Sequence, residues 1–297
     1  MLYRFTLSTG IGVAAGHECL CLLCCQGVSK LHSRHALVGT REEIGQVYRF
    51  FVPIEQIFDN TAEIAGDDVN HIKNVLRMGT GGHIMITDGR GTDYHCIIRG
   101  IEPDRVLLDI EKKEPVRTEL PVEIVLFQAL PKADKMELII QKAVELGAAK
   151  IVPVRTRRSV VRLDDKKAER KRQRWQSIAE AAAKQSGRGI VPEVEEVVSF
   201  GEACAQAHEL EHCIIPYELY DDMSETAKTM SQIVQGASIG IFIGPEGGFE
   251  RGEVEQAMEA GALPVSLGRR ILRTETAGLA ILSVLMFQIE KDYAGEV

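Results

Sequence analysis

From Pro121 onward, short apolar runs alternate with segments of helical periodicity. No other feature limits the fold so strongly. Residues 122–129 form a run without the polar alternation of a half-wet strand. Asp134-x-x-Glu137 has the sequence of a capping box. Met136, Ile139, Ile140, Ala143 and Leu146 then keep helical spacing up to Gly147. Residues 150–154 read as the next strand. A helix starts at Asp164 or Asp165, with Trp175, Ile178, Ala179 and Ala182 on one face and Lys171, Arg172 and Arg174 on the other. Further strands fall at 212–216, 238–243 and 263–267, and helices near 224–234, 251–260 and 275–290. Strands alternating with helices over this length predict a parallel α/β sheet. Such sheets bind ligands beyond the carboxyl ends of their strands.

Two glycine-centred segments lie at such ends. The first is Ile243-Gly244-Pro245-Glu246-Gly247-Gly248-Phe249. The second runs Leu267-Gly268-Arg269-Arg270-Ile271-Leu272-Arg273-Thr274-Glu275-Thr276-Ala277. Glycine has no Cβ and tolerates positive φ, so turns of this kind bring main-chain N–H and C=O groups close to a ligand. Two in succession point to one ligand held mainly by main chain.

The region before Pro121 has another rhythm. Residues 48–112 show short strand-like runs broken by Gly and Asp turns, the pattern of a compact barrel. A helix is expected at 67–76, capped by Asp67 or Asp68, with Val69, Ile72, Val75 and Leu76 on one face. Residues 111–121 are charged, hold two prolines and read as a linker. The domains expected are therefore 47–115 and 121–293. Residues 1–46 lack clear periodicity and contain four of the seven cysteines. Cys21-Leu-Leu-Cys24 has the spacing of a metal or redox pair, but no second pair completes a zinc site. Arg41-Glu42-Glu43 can be encoded by AGG-GAG-GAA, which resembles a ribosome-binding site, and Val47 by the start codon GTG. Translation is therefore expected to begin at Val47, with residues 1–46 an extension foreign to the fold.

The net charge is −8, yet residues 150–190 hold 13 Lys/Arg against 4 Asp/Glu. A basic segment in an acidic protein points to nucleic acid. No run is apolar enough to span a membrane, and a reducing cytoplasm suits the scattered remaining cysteines. There is no G-x-x-x-x-G-K-[ST], no G-x-G-x-x-G after the first strand of the α/β part, no G-x-S-x-G and no H-E-x-x-H. No metal is expected. A main-chain cradle with a basic arm suits transfer of a group from a small-molecule donor to RNA.

In order along the chain stand Arg49-Phe50-Phe51-Val52, His71 with Val75-Leu76-Arg77, Gln128-Ala129-Leu130-Pro131-Lys132 and Lys142-Ala143-Val144-Glu145-Leu146-Gly147. Arg158-Ser159-Val160, Gln185-Ser186-Gly187-Arg188 and both glycine-centred turns follow. Together these pieces resemble the RsmE family of bacterial 16S rRNA uracil-N3 methyltransferases, of the SPOUT class. The resemblance implies a small β-barrel PUA-like domain followed by a parallel-sheet domain with a trefoil knot. It implies S-adenosylmethionine as cofactor, 16S rRNA of the small ribosomal subunit as substrate, and a cytoplasmic homodimer formed through the SPOUT domain. Another RNA such as tRNA, or a non-catalytic role in ribosome assembly, is the alternative. The cofactor residues implied are Ile243, Gly244, Pro245, Glu246, Gly247, Leu267, Gly268, Ile271, Leu272 and Arg273. RNA contacts fall to Arg49, Arg77, Lys132, Arg158, Gln185, Ser186 and Arg188. Uracil N3 must lose a proton before it attacks a methyl group. Arg273 or Arg188 would stabilise the anion, and Glu246 or Glu275 would accept the proton.

Overall fold

Pro121 marks a change of architecture. The computed structural model describes residues 48–234 and 236–293, so the expectations for residues 1–46 lie outside the described residues. Before Pro121 the strands are β1 (Arg49–Phe51), β2 (Thr61–Ala65), β3 (His83–Thr87), β4 (Thr92–Ile101) and β5 (Arg105–Pro115). They form one sheet in the order β1-β3-β4-β5-β2, parallel only between β1 and β3. Register shifts at His95/Cys96 and Ile98/Gly100 bend the long β4–β5 pair, as bulges do. The bent sheet closes over Ile64, Ile72, Ile84, Ile86, Ile98 and Leu108, all at most 2% exposed.

Three local expectations need correction here. The helix α1 (Asp67–Asn70) is preceded by Gly66 at φ 80, so Asp67 and Asp68 sit in the first turn and neither caps it. It continues through His71–Val75 as a π-type turn in which the Leu76 N–H bonds to His71 O. The wider turn rotates Val75 off the apolar face, leaving it 64% exposed while Ile72 is fully buried. The charged stretch 111–115, expected as linker, extends β5, with Lys113 opposite Tyr94.

After Pro121 come β6 (Glu123–Ala129), α2 (Lys135–Glu145), β7 (Lys150–Arg155), α3 (Asp165–Ser186), β8 (Glu193–Val194), β9 (Val198–Ser199), α4 (Phe200–His208), β10 (His212–Pro216), α5 (Met223–Ile233), β11 (Ser238–Ile243), α6 (Arg251–Glu259), β12 (Ala262–Val265) and α7 (Thr274–Tyr293). The strand order is β12-β10-β11-β6-β7-β8, every pair parallel. Helices cover both faces. Leu126 of β6 packs with α2, α3, α5 and α7, while its neighbour Phe127 packs with α4 and α6. This is why β6 is apolar on both sides.

The capping box expected at α2 is not formed. Asp134 precedes the helix without a side-chain bond, and Glu137 instead holds Arg174 of α3 at 2.7 Å. In α3, Asp164 caps the start and Gly187, at φ 72, the end. Trp175 is 2% exposed and packs in the core. Strand β12 stops at Val265, short of the expected Leu267. There the Ser266 N–H turns to Thr226 Oγ1 at 2.9 Å and frees the following residues for a loop.

Candidate active site

Strands β12, β10 and β11 are neighbours, and the loops leaving their carboxyl ends line one cavity of about 870 Å³. The first loop brings Pro216, Tyr217, Glu218, Tyr220 and Asp221. The second brings Ile243, Gly244, Pro245, Glu246, Gly248 and Phe249. The third brings Ser266 through Thr274, and Lys135 joins from the start of α2. Both glycine-centred turns therefore meet in one space.

Side chains behind the cavity pin the two turns together. Thr274 Oγ1 donates to Gly244 O at 2.6 Å and accepts from Gln128 Nε2 at 3.0 Å. Gln128 is fully buried at the end of β6. A Cβ on Gly244 would stand 3.3 Å from the Gly248 main chain and the Phe249 ring, tighter than ordinary contact. Gly268 adopts φ 93, the region where glycine is at ease.

The cavity's chemistry fits a sulfonium nucleoside such as S-adenosylmethionine. Its volume suits a ligand of that size. Among the described residues, the main-chain N–H groups of Leu267, Ile271 and Leu272 have no protein acceptor. Tyr217, Pro245, Phe249, Leu267 and Leu272 supply apolar walls, and Glu218 and Asp221 supply negative charge for a cationic ligand. Ile271 lines the cavity yet is 91% exposed, so it stands at the mouth. Gly247, expected in the lining, is not among the lining residues; its carbonyl receives Arg158 Nη1 at 2.8 Å.

Arg273 lines the cavity, is exposed and forms no ion pair among the described residues. Arg269 and Arg270 share those properties, which makes the rim cationic. Glu246 and Glu275 both hold Lys135, at 3.0 and 3.2 Å. Burial pushes the Glu246 carboxyl up, but its own backbone N–H and the hydrogen bonds from Lys135 and Lys132 outweigh it, leaving it below its ordinary value. The Glu275 backbone N–H, against burial and with help from Lys135, lowers Glu275. The Glu246 hydrogen bond raises Lys135. Both carboxylates are therefore charged at neutral pH and weakly basic. The three buried thiols are no nucleophiles either, since burial pushes Cys96 up to about 12, Cys204 to about 11 and Cys213 to about 12.

Two arginines expected on RNA are structural. Arg188 is 6% exposed; its guanidinium donates to Glu119 Oε2, Val144 O and Ala148 O at 2.5–3.1 Å. Arg49 is held between Asp93 and the Gly187 carbonyl, bridging the first sheet and the end of α3. Little of either guanidinium is left for a phosphate. Arg77, Lys132, Arg158, Gln185 and Ser186 are exposed. Ser186 Oγ donates back to Ala182 O at 2.7 Å. The basic segment is less free than its composition suggests, because Lys150, Arg157, Lys167, Arg172 and Arg174 all form ion pairs. Arg162, Lys166 and Arg170 are exposed and unpaired among the described residues.

Lys135 and Tyr217 stand in no motif quoted from the sequence, whereas Gln128, Arg269, Arg270 and Thr274 stand in quoted motifs without an assigned role. Their one common signal is position: each lies in or beside a segment that leaves the carboxyl end of a strand.

Known proteins share this architecture. The RNA methyltransferase domain family matches residues 118–286, and the RNA methyltransferase PUA domain family matches residues 64–111. The ribosomal RNA small subunit methyltransferase E of Bacillus subtilis is 39% identical over 82% of this chain and 97% of its own length. Its counterpart in Synechocystis is 31% identical over 82% of this chain and 78% of its own length. The crystal structure of the enzyme of that name from Neisseria gonorrhoeae, bound to S-adenosyl methionine, is 31% identical. It covers 81% of this chain and 97% of its own, with a TM-score of 0.67. The match of the RNA methyltransferase domain family over more than half of the chain, together with relatives at 31–39% identity, places the chain in the ribosomal RNA small subunit methyltransferase E family, of the SPOUT class.

Proposed function

We propose that the protein methylates N3 of a uridine in 16S rRNA, using S-adenosylmethionine. The observation that carries this is the meeting of both glycine-centred turns at one cavity, joined by Thr274 and Gly244. When bound, S-adenosylmethionine supplies a methyl group already activated by its sulfonium charge. Gly244, Pro245, Leu267, Gly268, Ile271 and Leu272 hold it, with Ile243 buried behind them. Arg273, seconded by Arg269 and Arg270, stabilises the uracil anion that forms as the N3 proton leaves. Glu246 and Glu275 hold Lys135, and the N3 proton passes to solvent.

Residues 47–115 serve as the RNA-binding domain and 121–293 as the knotted methyltransferase domain. Arg77, Lys132, Arg158, Gln185 and Ser186 contact RNA, and Arg162, Lys166 and Arg170 extend the path along α3. Arg158 begins that path, since it already touches the first glycine-centred turn. The homodimer forms through the α/β domain, where Leu138 of α2 and Val284 and Phe287 of α7 are 44%, 47% and 68% exposed. No described helix is long and apolar enough to cross a membrane; a cytoplasmic location follows from the substrate.

The test is to incubate the protein with S-adenosylmethionine and small subunits from a strain lacking this activity, then map methylated uridines by mass spectrometry. One N3-methyluridine in 16S rRNA is expected. Methylation of tRNA alone, or cofactor binding without any methylation, would overturn the reading.

A further inference from the structure

Lys135 occupies an awkward place. It is the first residue of α2, where the positive end of the helix dipole disfavours a cation. Two carboxylates from distant parts of the chain keep it there. Glu246 belongs to the first glycine-centred turn, and Glu275 to the first turn of α7, directly after the second. Lys135 Nζ lies 3.0 Å from Glu246 Oε1 and 3.2 Å from Glu275 Oε2. The Lys132 N–H also reaches Glu246 Oε1, at 3.0 Å, so the loop between β6 and α2 grips the same carboxylate twice. The Lys135 side chain is 28% exposed and belongs to the cavity wall. Thr274 joins the two turns at the cavity floor, and Lys135 is the link between them on the α2 side.

We propose that Lys135 is a positioning residue that fixes the separation of the two cofactor-binding turns by bridging Glu246 and Glu275 and offsetting one of their two negative charges. Without it, two carboxylates face each other with no cation between them, and their repulsion drives the turns apart. This rests on the cofactor reading above. It adds that the cradle's width depends on a charge balance between three segments.

The experiment is calorimetric titration of the full-length protein with S-adenosylmethionine, alongside methylation kinetics and thermal melts. K135M is expected to weaken cofactor binding about tenfold, the scale of one like-charge contact near a protein surface. K135R, which keeps the cation, should bind within about threefold of wild type, a difference below 1 kcal/mol. K135M/E275Q, which restores the balance by removing a carboxylate outside the cavity lining, should recover most of the loss. In kinetics, K135M should raise KM for the cofactor and leave kcat near wild type, since the reacting atoms are untouched. Cofactor binding by K135M equal to wild type would overturn the proposal. So would a double variant no better than K135M, because Lys135 would then contact the ligand directly. If K135M melts far below wild type, the double variant decides, since a general folding defect would not be relieved by E275Q. A wild-type protein that binds no S-adenosylmethionine would defeat the cofactor reading itself, a different outcome from any of these.

Discussion

Arginines at the seam between the two domains and arginines at the cavity rim share a side chain and little else. At the seam, Arg188 and Arg49 are enclosed and saturated by Glu119, Asp93 and main-chain carbonyls. At the rim, Arg269, Arg270 and Arg273 are exposed and unpaired among the described residues. A buried guanidinium is costly to desolvate and more costly to orphan, so its partners bind it to the fold. An exposed one stays free to meet charge that develops in a reaction. Stability therefore resides at the seam and chemistry at the rim, although the basic motif Gln185-Ser186-Gly187-Arg188 invites the opposite reading.

The sharpest way to break this contrast is R188A. It leaves the Glu119 carboxylate and two buried carbonyls without their donor, and should cost about 3–5 kcal/mol, read from urea unfolding. E119Q/R188M, which removes both charges, should cost clearly less. A normal unfolding midpoint in R188A with impaired RNA binding would move Arg188 back to the substrate. Next in size is R273A. Its unfolding midpoint should stay within about 0.5 kcal/mol of wild type, while methylation slows about 10²-fold. If R273A instead melted early, rim and seam would not differ in kind.

Much of the fold was legible because it rests on local pattern. Strand β6 is apolar on both faces, since helices cover both, and its limits follow from the run itself. The two glycine-centred turns were visible for the same reason. Local pattern failed where distant partners compete. Glu137 has capping-box spacing but is taken by Arg174 from α3. Arg188 looks like an exposed basic residue until Glu119, far earlier in the chain, folds over it. Lys135 carries no motif, and its role appears only when Glu246 and Glu275 arrive beside it. Val75 fits the helical period, yet one π-type turn turns it outward.

Gly268 holds φ 93 with nothing near its missing Cβ, so G268A meets backbone strain without a clash. The strain is about 1–2 kcal/mol and should appear mainly as weaker S-adenosylmethionine binding, because the turn is at the rim. Equal loss of global stability would tie the turn to the core.

The smallest effect concerns Asp93 at the seam. Burial raises its carboxyl above its ordinary value, and the Arg49 guanidinium pulls the other way without prevailing. The folded protein therefore keeps this proton at a pH where the unfolded chain has lost it. Stability from this group is complete at low pH and falls as pH rises from the ordinary aspartate value through the raised one. D93N cannot titrate, so its unfolding midpoint should lack that decline, and the difference between the two proteins should shrink toward low pH. Urea midpoints of both, followed across that range, make the comparison. A wild-type midpoint that instead rises there, and is flat in D93N, would mean that Arg49 outweighs burial. The seam would then be held by a net-favourable ion pair, and the cost of enclosing charge would no longer separate it from the rim.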